Sequence, residues 1–319
     1  MKTPRMLTIA FIVAALSLVP LLSSAQTFSY DRHSSVVGAA KVSATHVASK
    51  KDSLIELARK HHLGYNEITL ANPDLDPFVP GEGAAIRLPS AWILPDVPHD
   101  GIVINLSEMR LYYFHPSKPG NTLQVSTFPI GIGDEGLDTP VGMFKIVERI
   151  ANPAWHPPKS IREERPELPA VVPPGPDNPL GTHALRLSMR SYLLHGTNRP
   201  YAIGRRATHG CIRLYPEEIP KLFALVPVGA KVNIVKQPIK VGVRSGRVFV
   251  EIHEDADVKI SSYFEETISL LKKKGLMKNI STEKLYKAVR KKDGVASDIS
   301  LDEKKEGPKA PVVPDFWTL

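Results

Sequence analysis

The chain has 319 residues, 42% of them hydrophobic, with 41 Lys and Arg against 33 Asp and Glu for a formal charge of +8, and one cysteine. A single Cys excludes any intramolecular disulfide, so the small disulfide-stapled scaffolds common among exported proteins are ruled out. The basic balance suits anionic partners such as a cell-wall polymer or lipid headgroups without selecting between them.

The chain opens as a secretory leader. Lys2 and Arg5 make the basic start, Met6 to Leu22 the apolar core, and Ser23-Ser24-Ala25 a small-residue exit, which predicts cleavage after Ala25. The apolar run approaches spanning length, so an uncleaved anchor is the alternative, with Pro20 and the small exit favouring cleavage. No cysteine follows directly to take a lipid, and no other apolar run is long enough to cross a bilayer. Losing Lys2 and Arg5 lowers the formal charge from +8 to +6. The remaining length suffices for two domains. A free thiol in an exported protein is prone to oxidation and mispairing, so its retention argues for use.

Residues 26–44 are small and polar and predict a linker. Residues 45–90 then follow the order strand, helix, helix, strand. Val47 opens a short strand, Asp52-Ser53 caps a helix carrying Leu54, Ile55, Leu57 and Ala58, and Asn66 caps a second through Ile68 and Leu70. Pro80-Gly81 turns the chain into the closing strand Ala85-Ile86-Arg87-Leu88-Pro89. With its Asn72-Pro73 step and terminal IRLPS, this stretch resembles the LysM module. The resemblance implies binding to N-acetylglucosamine-containing glycans such as peptidoglycan. Lys51-Asp52-Ser53 replaces the module's usual Gly-Asp-Thr, which bears on sugar affinity more than on fold. A spacer with no ligand is the alternative.

From Gly101 the apolar period is two: Ile102, Ile104 and Leu106 alternate with Val103 and Asn105, and Arg110-Leu111-Tyr112-Tyr113-Phe114 follows a turn at Ser107-Glu108. Further strands are predicted at 123–130, 142–149, 184–189, 192–195 and 231–236, with one helix from Pro216 to Leu225. Many short strands between Gly and Pro turns predict a β-sandwich or barrel. Asn152 to Gly181 is dense in proline, which cannot donate to a ladder, so it reads as a long loop of the lid or binding type. Trp155, His156 and Arg162 would meet substrate there, or simply pack down.

Beyond Gln237 come a return strand at 247–253 and a helical extension to 299. Ser262 with Glu265 fits a capping box ahead of Phe264, Ile268 and Leu271, and Ser281 opens a second helix with Leu285 and Val289. Lys272 to Lys292 carries nine basic residues against one acid, a solvated helix face or a contact for membrane or wall polymer. Residues 300–319 predict a disordered tail, apart from Phe316-Trp317.

The chemistry concentrates in HGTNRPYAIGRRATHGCIRL, from His195 to Leu214. Thiolates rather than thiols attack carbonyls, so Cys211 needs a base. His195 ends an apolar strand. His209 lies two residues before the thiol, where strand alternation would put both on one side. Gly210 permits close backbone approach, and amides around Gly210 and Cys211 would face a developing oxyanion. The implied reaction is acyl transfer through a thioester. Zinc held by His183, His195, His209 and Cys211 competes, but lacks the additional cysteines, tight His pair or carboxylate usual for such sites.

The His-Gly pair followed by Thr-His-Gly-Cys resembles the signature of YkuD-type L,D-transpeptidases. Residues 101–236 are similar to that domain through GIVINLSEMRLYYF, FPIGIG, DTPVGMFKI and PPGPDNPLG. The order of leader, LysM-like unit and catalytic domain resembles the periplasmic enzymes that attach the Braun-type outer-membrane lipoprotein to peptidoglycan. The resemblance implies a mainly β fold: a YkuD-like β-sandwich catalytic domain (100–236), preceded by a small βααβ LysM domain and followed by a helical C-terminal extension. It implies Cys211 as nucleophile and His195 as general base, oriented by the Gly196 carbonyl. The amides of His209, Gly210 and Cys211 would form the oxyanion hole, with Thr208 supporting the site. Arg213 would hold a stem-peptide carboxylate or sit in a structural ion pair, and Trp155 would touch substrate.

In the implied reaction Cys211 attacks between an L-centre and the terminal D-residue of a tetrapeptide stem and expels D-alanine. A lipoprotein lysine or a neighbouring stem's diamino acid then resolves the acyl-enzyme. An L,D-carboxypeptidase, a lipoprotein-releasing hydrolase and a non-catalytic wall-binding protein are the alternatives. Carbapenems are implied as covalent inhibitors and the periplasm as location, with no cofactor, metal or nucleic acid called for.

Overall fold

The computed structural model describes residues 26–302 except 32, 118–121 and 190. The leader, and the tail with Phe316-Trp317, lie outside these residues.

The expected linker is instead β1 (Gln26–Tyr30) and the first part of β2 (Val36–Val47), so Val47 closes a strand rather than opening one. The alternation in Gln26-Thr27-Phe28-Ser29-Tyr30 explains β1: Phe28 and Tyr30 pack against Trp92 and Phe114, with ring centroids 6.0 and 6.2 Å apart. In α1 (Leu54–Lys60) the Ser53 hydroxyl accepts the Glu56 amide at 3.2 Å, an N-cap. The second helix, α2 (Tyr65–Ala71), starts ahead of the expected Asn66 cap, because the Glu67 carboxylate reaches back to the Gly64 amide at 2.7 Å. β3 (Ala85–Ile93) then pairs antiparallel with β2.

The next elements in chain order are β4 (Gly101–Asn105), β5 (Arg110–Phe114), β6 (Leu123–Pro129), β7 (Ile132–Gly133), β8 (Gly142–Ala151) and α3 (Lys159–Glu164). They are followed by β9 (His183–Leu187), β10 (Leu193–His195), β11 (Arg206–Thr208), β12 (Ile212–Arg213), α4 (Ile219–Leu225) and β13 (Lys231–Val235). Nine strands form one sheet in the order β1-β6-β5-β4-β13-β8-β9-β10-β12, and β7 with β11 makes a separate two-stranded ribbon. Ile104, Leu111 and Phe128 from one half of the sheet share a core with Leu185, Leu194 and Ile212 from the other, closed by Ile219 and Leu222 of α4. One curled sheet therefore stands where the sequence predicts a β-sandwich or barrel. The fold is mainly β.

The remainder is β14 (Ile239–Arg244), β15 (Arg247–Ile252), α5 (Tyr263–Lys273), α6 (Thr282–Lys291) and β16 (Ser297–Asp298). β14, β15 and β16 form a sheet whose core includes Leu271 and Leu285 from the two helices. The Ser262 and Ser281 hydroxyls cap those helices by accepting the amides of Glu265 and Lys284 at 3.2 and 3.3 Å. Ser300 is buried and accepts the Val248 amide at 2.8 Å, so order continues past the predicted start of the disordered tail.

Buried charge joins these parts. Arg110 of β5 is fully buried and donates to both Glu67 oxygens at 3.0 and 2.7 Å, to Thr127 Oγ1 at 2.9 Å and to the His62 carbonyl at 3.0 Å. Its guanidinium lies 4.1 Å from the centroid of the Trp92 ring. Lys240 of β14 reaches Glu108 and Glu251 at 2.8 Å each and the Ile93 carbonyl at 2.6 Å. Removing one partner of a buried pair strands the other charge. Glu67→Gln should therefore lower the unfolding free energy by about 3–5 kcal/mol in urea titration, and adding Arg110→Met should recover much of that loss.

Candidate active site

β10 lies between antiparallel β9 and parallel β12, with Leu194 opposite Ile212 and His195 opposite Arg213. Leu194 and Ile212 point into the core. Alternation then puts His195, Arg213 and Cys211, which directly precedes β12, on the opposite face. The sheet thus brings His195, at the end of β10, and Cys211, just ahead of β12, together as diagonal neighbours.

His195 is buried, and its Nδ1–H donates to the Gly196 carbonyl at 2.6 Å, leaving Nε2 as the unprotonated nitrogen. Burial, and then the Arg213 charge, push the imidazole down to about 3, against the opposing effect of the Gly196 bond. The Cys211 thiol donates to the Ser191 carbonyl at 3.6 Å. Among the described residues no hydrogen bond joins it to His195. Burial pushes the thiol up, while the Leu193 amide, Arg213 and Arg186 favour the thiolate. A raised thiol beside a lowered imidazole disfavours a preformed thiolate–imidazolium pair.

The Thr208 hydroxyl staples the cysteine turn, donating to the Cys211 carbonyl at 2.7 Å and accepting the Gly210 amide at 3.0 Å. That occupies the Gly210 amide, one of the three expected to face an oxyanion. Among the described residues the amides of His209 and Cys211 make no backbone hydrogen bond. Thr139 Oγ1 donates to the Gly210 carbonyl at 2.9 Å and accepts the Gly133 amide at 3.0 Å.

Gly210 has φ +98°, and a Cβ there would stand 2.8 Å from Tyr192 Cε1. This left-handed residue breaks the alternation that would put His209 and Cys211 on one side. His209 turns outward instead, its Nε2 3.3 Å from Glu164 of α3.

Arg213 is partly buried, its Nε has no partner, and no acid lies within ion-pair distance among the described residues. The structural ion pair is therefore not formed. In the Pro-dense insertion, Trp155 pairs through its backbone with Val172 at 2.9 and 2.8 Å. His156 and Arg162 are exposed, and no hydrogen bond or ring contact joins these three side chains to the cysteine turn among the described residues. Glu164 makes that connection instead.

The four donors weighed for zinc do not converge: His183 packs its ring 4.6 Å from Phe223, and His209 faces Glu164. Glu108, Glu251 and His253 do bring ligand atoms within 4.8 Å of one another, but the Lys240 ammonium already supplies the cation there. Ser191, Thr139 and Glu164 carry no recognisable signature in the sequence, because their contacts to the turn span 20, 71 and 45 residues.

A lone thiol and an oriented imidazole on one face of neighbouring chain segments are the parts of a cysteine acyl-transfer site. Residues 99–234 match the YkuD family model, described as an L,D-transpeptidase catalytic domain. The chain is 45% identical over 217 residues to the probable L,D-transpeptidase YcfS of Escherichia coli K12, covering 65% of this chain and 67% of that protein. It is 44% identical over 202 residues to the probable L,D-transpeptidase YbiS of the same strain, covering 61% and 64%. It is also 30% identical over 165 residues to the YkuD protein of Bacillus licheniformis, covering 51% and 82%. The matches span about two thirds of the Escherichia coli relatives. The chain belongs to the YkuD family of L,D-transpeptidases.

Because burial raises the thiol and lowers the imidazole, alkylation of Cys211 by iodoacetamide should accelerate continuously from about pH 5 to about pH 9. A rate plateau at about pH 6–7, measured by intact-protein mass spectrometry, would instead reveal a preformed thiolate–imidazolium pair.

Proposed function

We propose that this protein is a peptidoglycan L,D-transpeptidase whose acyl donor is a tetrapeptide stem. The observation that carries the reading is the buried His195, fixed in one tautomer by Gly196, on the strand beside the chain's only cysteine. As Cys211 sulfur bonds to the carbonyl carbon between the L-centre and the terminal D-residue, its proton passes to His195 Nε2. The uncommitted amides of His209 and Cys211 supply the oxyanion donors. Collapse expels D-alanine, protonated by His195, and leaves a thioester. An incoming amine attacks that thioester, gives its proton to His195 and releases the thiol.

The partnerless Arg213 is assigned to a carboxylate of the stem, held close to Cys211. The acceptor is a lipoprotein lysine or the side-chain amine of a neighbouring stem's diamino acid. In this reading the LysM-like unit holds the glycan, the protein works in the periplasm, and carbapenems acylate Cys211.

Purified protein given tetrapeptide muropeptides should release D-alanine, and Cys211→Ala should abolish the release; turnover surviving that change would sink the mechanism. With both amines offered together, mass spectrometry of the products identifies the acceptor. Hydrolysed tripeptide alone would indicate a carboxypeptidase, and sacculus binding without any turnover a wall-binding protein. Arg213→Met should raise KM about tenfold with kcat less affected, the signature of lost substrate binding. An unchanged KM would remove Arg213 from the substrate site.

A further inference from the structure

We propose that Asp257, in the extension beyond the family domain, is a positioning residue for Cys211, acting through Arg206. The inference rests on Cys211 being the nucleophile.

Arg206 opens β11 two residues before Thr208, whose hydroxyl staples the cysteine turn. Its guanidinium bridges two carboxylates from separate parts of the chain: Nη1 donates to Asp257 at 2.6 Å and Nη2 to Asp138 at 2.7 Å. Asp138 directly precedes Thr139, which holds the Gly210 carbonyl, and the Asp138 carbonyl itself lies 3.2 Å from where a Gly210 Cβ would be. One side chain therefore grips both walls of the turn that presents the thiol.

Asp257 is itself fixed. Its amide donates to Asp255 Oδ1 at 3.0 Å, and Asp255 Oδ2 accepts the Ser107 hydroxyl at 2.5 Å, tying this turn to the β4–β5 connection. Lys236 donates to the same Asp257 oxygen at 2.8 Å. The Lys236 and Arg206 hydrogen bonds hold the Asp257 carboxyl below its usual range, so it stays charged. The Arg206 and Asp257 side chains are each 28% exposed and meet at the surface, where the contact gains over an isolated pair by belonging to a network of Asp138, Arg206, Asp257 and Lys236. The family match ends at residue 234, so a group outside the catalytic domain steadies its nucleophile turn.

The test is the rate of Cys211 alkylation by iodoacetamide in the full chain, alongside kcat and KM for D-alanine release. Small displacements at a reacting atom cost rate more than binding. Asp257→Asn should slow alkylation and lower kcat about fivefold to tenfold, with KM within about twofold, and Asp257→Glu should restore part of both. Lys236→Met, which removes the other cation on Asp257 but does not touch the turn, should leave both rates within about twofold. Wild-type alkylation in Asp257→Asn, or an equal loss in Lys236→Met, overturns the proposal. Should Asp257→Asn not fold, Asp138→Asn cuts the other arm of Arg206 and must slow alkylation in the same way; unchanged alkylation there also overturns it. Alkylation needs no substrate. A wild-type protein that turns over no muropeptide, but whose alkylation still depends on Asp257, would refute the assigned reaction and leave the positioning role standing.

Discussion

The buried pairing of Arg110 with Glu67 is the constraint on which the arrangement depends. A guanidinium fully removed from water is tolerable only if its charge and donors are met. Here a carboxylate from α2, a hydroxyl from β6, a backbone carbonyl and an indole ring meet them. Glu67 also accepts the Trp92 indole N–H at 2.8 Å and the Gly64 amide at 2.7 Å. The same carboxylate therefore starts α2, fixes the end of β3 and neutralises a catalytic-domain arginine. Separating the N-terminal unit from the sheet would strand all of these groups at once.

That junction extends to the active site. The first amides of α2, on Tyr65 and Asn66, donate to the Ile203 and Gly204 carbonyls at 3.0 and 3.2 Å. Ile203 and Gly204 lie in the segment that runs from His195 to Cys211. A Cβ on Gly204, at φ +78°, would fall 2.2 Å from the Tyr65 amide nitrogen, so only glycine allows this approach. Arg205 stacks 3.5 Å above the Tyr65 ring, adding a cation–π contact. The segment joining His195 to Cys211 is thus braced by a helix end from outside the nine-stranded sheet, one residue before Arg206 meets its two acids.

The sequence was most informative where local pattern and local structure coincide. The apolar run ending in His195, the lone thiol at Cys211 and the Ser262 and Ser281 caps are all readable from neighbours a few residues away. Errors arose where one residue's backbone changed the pattern or where long-range contacts decided. Period-two reasoning put His209 beside Cys211, but the left-handed Gly210 turns it away. Gln26 to Tyr30 looks like linker because alternate residues are polar, yet pairing with β6 and the Trp92 and Phe114 rings make it a strand. Asn66 looks like a cap until Glu67 is seen to satisfy Gly64, one turn earlier. Nothing local could pair Arg110 with Glu67, 43 residues away, or Arg206 with Asp257, 51 residues away.

Arg213 gives the site a built-in electrostatic link between binding and chemistry. Its unneutralised charge is the second cause, after burial, of the low imidazole basicity at His195, and it also favours the Cys211 thiolate. A carboxylate seated on Arg213 would cancel that charge for both partners. The imidazole would become the better proton acceptor, while the thiol, losing a stabilising cation, would become the weaker acid. The gain and the loss oppose each other in the proton transfer, so the Arg213 charge does not act on the two partners in one direction. The role proposed for it, orienting a substrate carboxylate, meets no such opposition, and neither the fixed tautomer of His195 nor the stapled turn at Cys211 depends on it.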